Sequence, residues 1–97
     1  MKPSIALEKN REAVRAAFQR YPTIANPRVF GSVLHGDDTD ESDLDLLVDI
    51  FPGTTLFTLG GLEFELEQLL GIPVQVLSAE ELPVQYRSNV VAEAAPL

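Results

Sequence analysis

The 97-residue sequence has no cysteine and no tryptophan, one methionine and one histidine. Without thiols it forms no disulfide, no zinc–thiolate centre and no thiol nucleophile. Any metal must then be held by oxygens or by His35, which favours a hard cation such as Mg²⁺. Positive charge is scarce too: seven Lys and Arg stand against fifteen Asp and Glu, a formal net charge of -8, with a pI near 4.4. That balance has the wrong sign for neutralising phosphates and argues against a free-standing nucleic-acid binder. No apolar run approaches the ~18 residues that a membrane span requires. The opening Met1-Lys2-Pro3-Ser4 leads into a segment broken by Glu8, Lys9, Arg11 and Glu12, so a cytoplasmic soluble protein is expected. A chain this short closes one core, which predicts a single domain over residues 1–97.

What is present falls into a regular order. Leu7, Val14, Ala17 and Phe18 recur near helical spacing between Ser4 and about Tyr21, with charged residues on the other side, predicting a surface helix packed on a sheet. After a link bracketed by Pro22 and Pro27, Arg28-Val29-Phe30 reads as a short strand entering the Gly31-Ser32 turn. The stretch from Gly36 to Ser42 reads as a solvated loop carrying Asp37, Asp38, Asp40 and Glu41. From Asp43 to Ile50 the residues alternate: Leu44, Leu46, Val48 and Ile50 share one face of a strand, and Asp43, Asp45 and Asp49 share the other. Leu59, Leu62, Leu66 and Leu69 then mark a helix stopped by Gly71, with Glu63, Glu67 and Gln68 outside. Ile72 to Leu77 reads as a third strand, Ser78-Ala79-Glu80-Glu81 fits a capping box, and Val84 to Ala95 supplies a last helix. The order helix, strand, strand, helix, strand, helix predicts an α/β (α+β) sandwich with a small mixed β-sheet.

Between Arg28 and Arg87 there is no Lys or Arg, yet twelve carboxylates lie there, seven of them from Asp37 to Asp49. Asp43 and Asp45, two apart on a strand, emerge on one face roughly 6 to 7 Å apart at their Cα atoms. Carboxylates that close raise each other's pKa unless a cation lies between them, so the pair reads as a Mg²⁺ site. Asp49, about 13 Å along the strand from Asp45, is too far for the same ion and reads as a strand-end charge. The Gly31-Ser32 turn offers backbone N–H groups and a hydroxyl suited to phosphate oxygens. Such a turn also occurs in ordinary loops, and two acids on a strand are a moderate signal; the combination is the strong one.

Gly31-Ser32, ten intervening residues and Asp43-Leu44-Asp45, with Gly36 and Ser42 also in place, resembles the signature of the DNA polymerase beta superfamily of nucleotidyltransferases. The stretches Leu56 to Glu63 and Arg87 to Leu97 resemble the minimal nucleotidyltransferases in particular, and the likeness covers nearly the whole chain. It implies a polymerase-beta-type core and transfer of a nucleoside monophosphate, usually AMP from ATP, to a hydroxyl. In that chemistry in-line attack on the α-phosphate is assisted by two Mg²⁺ ions. By the resemblance Asp43 and Asp45 are the catalytic metal ligands, Gly31 and Ser32 steady the β and γ phosphates, and Ser42 belongs to the nucleotide site. Minimal nucleotidyltransferases are often antitoxins whose partner is a HEPN ribonuclease toxin, silenced by adenylylation of a tyrosine. The implied partners are therefore ATP and a HEPN protein, in a homo- or hetero-oligomer.

Two departures from the family pattern stand out. Superfamily enzymes place a third carboxylate on the strand after the long helix, and the residue aligned with it here is Gln75, whose amide takes no proton and binds Mg²⁺ poorly. Losing one strong electrostatic group costs about 2 to 4 kcal/mol of transition-state stabilisation. Many relatives also carry arginine after Gly-Ser, where Val33, Leu34 and His35 stand here. His35 reads as a surface residue, with donation to a phosphate as its alternative, and Arg28 and Arg87 read as salt-bridge partners of the acidic loop. Phe57 or Phe64, if it emerges on the far side of the long helix, is a candidate interface residue. The expected function is Mg²⁺-dependent AMP transfer to a HEPN toxin. The alternative is an antitoxin of the same fold that neutralises its partner by binding alone. Transfer to a small molecule is disfavoured, since that usually needs an extra acceptor-binding domain.

Overall fold

The computed structural model describes Met1–Leu97 throughout. Its elements are α1 (Pro3–Phe18), β1 (Ile24–Phe30), α2 (Gly31–His35), β2 (Leu44–Ile50), α3 (Leu56–Leu70), β3 (Val74–Ser78), α4 (Val84–Glu93) and β4 (Ala95–Pro96), with a 3₁₀ turn at Ala79–Glu81. The sheet runs β3-β2-β1-β4; β2 is antiparallel to β1 and parallel to β3, and β4 is antiparallel to β1. The mixed α+β sandwich is the one expected.

The alternation in β2 decides which side the helices cover. Leu44, Leu46 and Val48 join Val74 and Val76 in a core closed by Ala6, Leu7, Val14, Ala17 and Phe18 of α1 and by Leu59, Leu62, Leu66 and Leu70 of α3. Leu47, on the acidic side of β2, is also fully buried but lies outside that cluster. A strand paired on both sides is thus covered on both faces at its centre. Ile50, at the strand end, is 40% exposed, so the expected apolar face ends one residue pair early.

Several boundaries differ from expectation: α1 ends at Phe18 rather than about Tyr21, and β2 starts at Leu44, leaving Asp43 before the strand. Strand β1 starts at Ile24, because an irregularity between Ala25 and Arg28, with Asn26 at φ 54°, accommodates Pro27 without breaking the pairing. Helix α4 stops at Glu93, since Ala94 is extended (φ -55°, ψ 134°) and Ala95 and Pro96 pair with Val29 and Arg28. Strand β3 covers Val74–Ser78 rather than Ile72 to Leu77. The Ser78 capping box forms, with the Ser78 amide and hydroxyl donating to Glu81 at 2.9 and 3.0 Å, but it opens the 3₁₀ turn rather than α4.

Several carboxylates serve backbone amides. Val74 and Val76 on the edge strand β3 donate to Glu67 (3.0 Å) and Glu63 (2.7 Å), so these two acids cover an edge that would otherwise offer itself to another strand. Asp38 corrects the reading of a wholly solvated loop: it is 6% exposed and accepts the Ser4 amide proton at 2.9 Å. The first residues of α1 have no side-chain cap of their own, and Asp38 supplies the missing acceptor from a distant loop. The hydrogen bond from Ser4 holds the Asp38 pKa below its ordinary value against the opposing effect of burial. Because the folded value is the lower one, this stabilisation is present above the ordinary carboxylate pKa and is lost as pH falls below about 4. Asp38→Ala should therefore lower the melting temperature near neutrality, and the gap to wild type should close in acid, as followed by circular dichroism across a pH series.

Candidate functional site

The site forms where β1 hands over to α2, beside the first residues of β2. Asp45 lies opposite Phe30 on β1 and opposite Gln75 on β3, with Asp43 just before the strand. The register thus places Gln75 beside Asp45, and side chains at paired positions emerge on the same face. Gly31 immediately follows Phe30 at φ +74°; a Cβ there would collide with the Asp45 carboxylate oxygen and lie 3.2 Å from its Cγ. Glycine alone lets the turn lie against the acid. The first amides of α2, which have no acceptor within the helix, are therefore beside Asp45.

Neither Asp43 nor Asp45 has a cationic partner: the ion pairs of the protein engage Asp40, Glu8, Glu12, Glu65, Asp49 and Glu93 instead. Asp45 is half-buried, and its pKa is pushed up to about 6, first by burial and then by the Asp43 charge. Asp43 lies just before β2 rather than on the strand face expected for it, yet its charge reaches Asp45, and two unpaired oxygen donors this near fit a hard divalent cation in donor chemistry and in charge. No group of three or more His, Cys, Asp or Glu side chains gathers for a metal anywhere in the chain; the residue paired with Asp45 on β3 is Gln75, an amide.

The remaining candidates sort by what they touch. The Ser42 hydroxyl accepts the Thr39 amide at 2.8 Å while the Ser42 amide donates to the Thr39 carbonyl at 3.0 Å. Ser42 thereby fixes the turn that delivers Asp43. Ser32 lies at the start of α2, and its carbonyl accepts the Asp37 amide at 3.1 Å, tying down the acidic loop. Arg28 and Arg87 do not bridge to that loop. Arg28 pairs with Asp49 at 2.7 Å, and Arg87 donates to the carbonyls of Glu80 and Leu82 at 2.9 and 2.8 Å, anchoring α4 to the 3₁₀ turn. His35 faces Glu93 of α4 at 3.1 Å on the surface. Two surface hollows exist, one lined by Glu67, Gly71, Ile72 and Pro73 and the other by Arg15, Phe18, Pro27, Pro96 and Leu97. Neither includes Asp43 or Asp45, so the acids stand on an open shelf.

Comparison with known proteins gives a consistent picture. Residues 7–97 match the family described as the nucleotidyltransferase domain. A protein of Methanocaldococcus jannaschii, provisionally named a protein adenylyltransferase, is 33% identical over 66 residues, which cover 68% of this chain and 71% of that protein. A solved structure provisionally described as a minimal nucleotidyltransferase superposes with a TM-score of 0.82 at 40% identity, over 97% of this chain and 95% of its own. A crystal structure of a toxin-antitoxin with AMP-PNP superposes with a TM-score of 0.75 at 18% identity, over 90% of this chain and 71% of its own, a likeness of fold.

The packing of Gly31 on Asp45 generates two expectations. Gly31→Ala should destabilise the protein by about 2 kcal/mol in chemical denaturation, through the left-handed backbone and the collision with the carboxylate. Asp45→Asn should do the opposite in the absence of divalent cations. A folded pKa above the ordinary one means that Asp45 contributes full stability below about pH 4 and loses it as pH rises through about 6. At neutral pH the amide should gain about 1 kcal/mol after allowance for solvent screening, and the gain should vanish in acid.

Proposed function

The chain belongs to the nucleotidyltransferase domain family, in its minimal form, and on that premise we propose that it transfers AMP from ATP to a hydroxyl of a partner protein. The observation that carries this reading is the unpaired Asp43 and Asp45 carboxylates with the Gly31 turn packed against one of them. Asp43 and Asp45 would hold Mg²⁺, which when bound neutralises the triphosphate and stabilises charge on the transferring phosphoryl group. The turn amides at Gly31 and Ser32 and the Ser32 hydroxyl orient the β and γ phosphates. Ser42 keeps Asp43 in place through the Thr39 turn.

In the transfer step the acceptor oxygen forms a bond to the α-phosphorus as the bond to the bridging oxygen of the β-phosphate breaks, and pyrophosphate leaves. The hydroxyl proton finds no base at Gln75 and departs to solvent, so the step is slow. An open shelf suits an acceptor carried by a macromolecule. The protein adenylyltransferase name of the archaeal relative and the toxin-antitoxin assemblies among the fold neighbours support a protein acceptor within an antitoxin role. The resemblance to minimal nucleotidyltransferases supports a HEPN toxin as that acceptor.

A second reading rests on the register of Gln75 with Asp45: a chain of this fold that neutralises its partner by contact alone. Incubation with α-labelled ATP, Mg²⁺ and a HEPN protein encoded beside this chain separates the two. Label on the partner, lost in Asp43→Asn or Asp45→Asn, supports transfer; a partner left unlabelled yet inhibited supports binding alone. Under the transfer reading, Gln75→Asp should raise the labelling rate by about tenfold or more.

A further inference from the structure

The two acids of the site are held in different ways. Asp45 lies within the ladder, paired with Phe30 on one side and Gln75 on the other. Asp43 stands outside it: pairing of β2 begins at Leu44, whose amide donates to the Pro73 carbonyl at 3.0 Å. That bond fixes the peptide after Asp43. The exposed Asp43 is otherwise delivered by the loop that leaves α2. A ligand carried on a loose loop must be ordered when the cation binds, and that ordering opposes binding.

Most bonds of this loop are local. The Asp37 amide donates to the Ser32 carbonyl at 3.1 Å. The Thr39 amide donates to the Ser42 hydroxyl at 2.8 Å, the Ser42 amide to the Thr39 carbonyl at 3.0 Å and the Glu41 amide to the Thr39 hydroxyl at 3.2 Å. These settle the shape of the turn and not where it sits on the domain. Asp38 does that. It is the buried residue of the loop, between exposed Asp37 and exposed Thr39, and its carboxylate accepts the Ser4 amide proton at 2.9 Å across 34 positions of sequence. Ser4 is carried on α1, whose Ala6, Leu7, Val14, Ala17 and Phe18 lock that helix into the core. The contact of Asp40 with the Met1 amino group, at 3.7 Å between exposed groups, adds little.

We infer that Asp38 is a positioning residue for the Mg²⁺ site: by holding the Ser4 amide it seats the Thr39–Ser42 turn on α1 and so aims Asp43 at the space beside Asp45. The inference rests on the reading of Asp43 and Asp45 as metal ligands. Asp38 itself touches neither ion nor nucleotide. The constraint passes through one peptide to Thr39, across the turn to Ser42, and through the next peptide to Asp43. Removing a residue that orients a metal ligand costs about 10- to 100-fold in metal affinity. A carboxylate near a cation site also acts through its field. Asp37 separates the two effects, since it carries the same charge one position earlier, exposed and without an anchor.

Binding of Mn²⁺ alone to the full chain, followed by its electron paramagnetic resonance signal at a temperature where circular dichroism shows every variant folded, tests this. Asp38→Ala should weaken Mn²⁺ binding about tenfold or more. Asp38→Asn loses the same charge but keeps an oxygen for the Ser4 amide, and should recover most of that affinity. Asp37→Ala should cost less than about threefold, because an exposed charge is screened. Solvent exchange of the amides, measured by NMR without metal, reads the anchor directly: in Asp38→Ala the Thr39 and Ser42 amides should exchange at least about tenfold faster, while those of β2 keep their protection. Equal losses in Asp38→Ala and Asp37→Ala, no recovery in Asp38→Asn, or a turn whose exchange is unchanged in Asp38→Ala overturns the inference. Failure of the underlying reading looks different: wild type then binds no Mn²⁺, or Asp43→Asn binds it as wild type does, and the inference falls with it even where the turn loosens.

Discussion

A one-residue constraint on β2 governs the molecule. With β1 on one side and β3 on the other, the strand has no freedom to slide, and burial of Leu44, Leu46 and Val48 fixes which face meets the helices. A slip by one residue would drive Asp45 and Asp49 into the core and expose the leucines, at prohibitive cost. The acids are therefore presented on the front of the sheet by the same apolar burial that holds the domain together. Everything else in the site is located relative to them: the Gly31 turn through Phe30, and Gln75 through the parallel pairing.

The acidic composition looks uniform in the sequence and is sorted by the fold. Asp38 caps α1, Glu63 and Glu67 cover the β3 edge, Glu81 closes the Ser78 box, Asp49 pairs with Arg28 and Glu65 with Arg20. Each of these has a donor, and each of those donors belongs to the structure. Asp37, Glu41 and Glu80 have no such donor and stand exposed to solvent, whereas Asp43 and Asp45 are left as a pair that repel each other, half-buried in the case of Asp45. A divalent cation would relieve that repulsion, which is what links the electrostatics to the chemistry proposed for the site.

The elements with strong periodicity were legible: α1 and α3 from their spaced leucines and valines, β2 from strict alternation, and the Gly31 to Asp45 constellation from its spacing. What was not legible depended on partners distant in sequence. Nothing local in Gly36 to Ser42 distinguishes Asp38 from Asp37 or Asp40, because its acceptor role exists only once Ser4 is brought alongside. Strand β4 is two residues long and contains Pro96, so no pattern marks it apart from its pairing with β1. Pro27 reads as a break, yet the bulge at Asn26 absorbs it. Charge alone predicts a carboxylate partner for Arg87, whereas the chain at Glu80 and Leu82 offers it carbonyls.

Titration calorimetry of a non-hydrolysable ATP analogue, run with Mg²⁺ and again with a chelator, addresses the central claim most directly. The account predicts heat of binding only when Mg²⁺ is supplied, and its loss when either acid at the start of β2 is converted to its amide. Equal binding in chelator, or unchanged affinity in the amide variants, would contradict it.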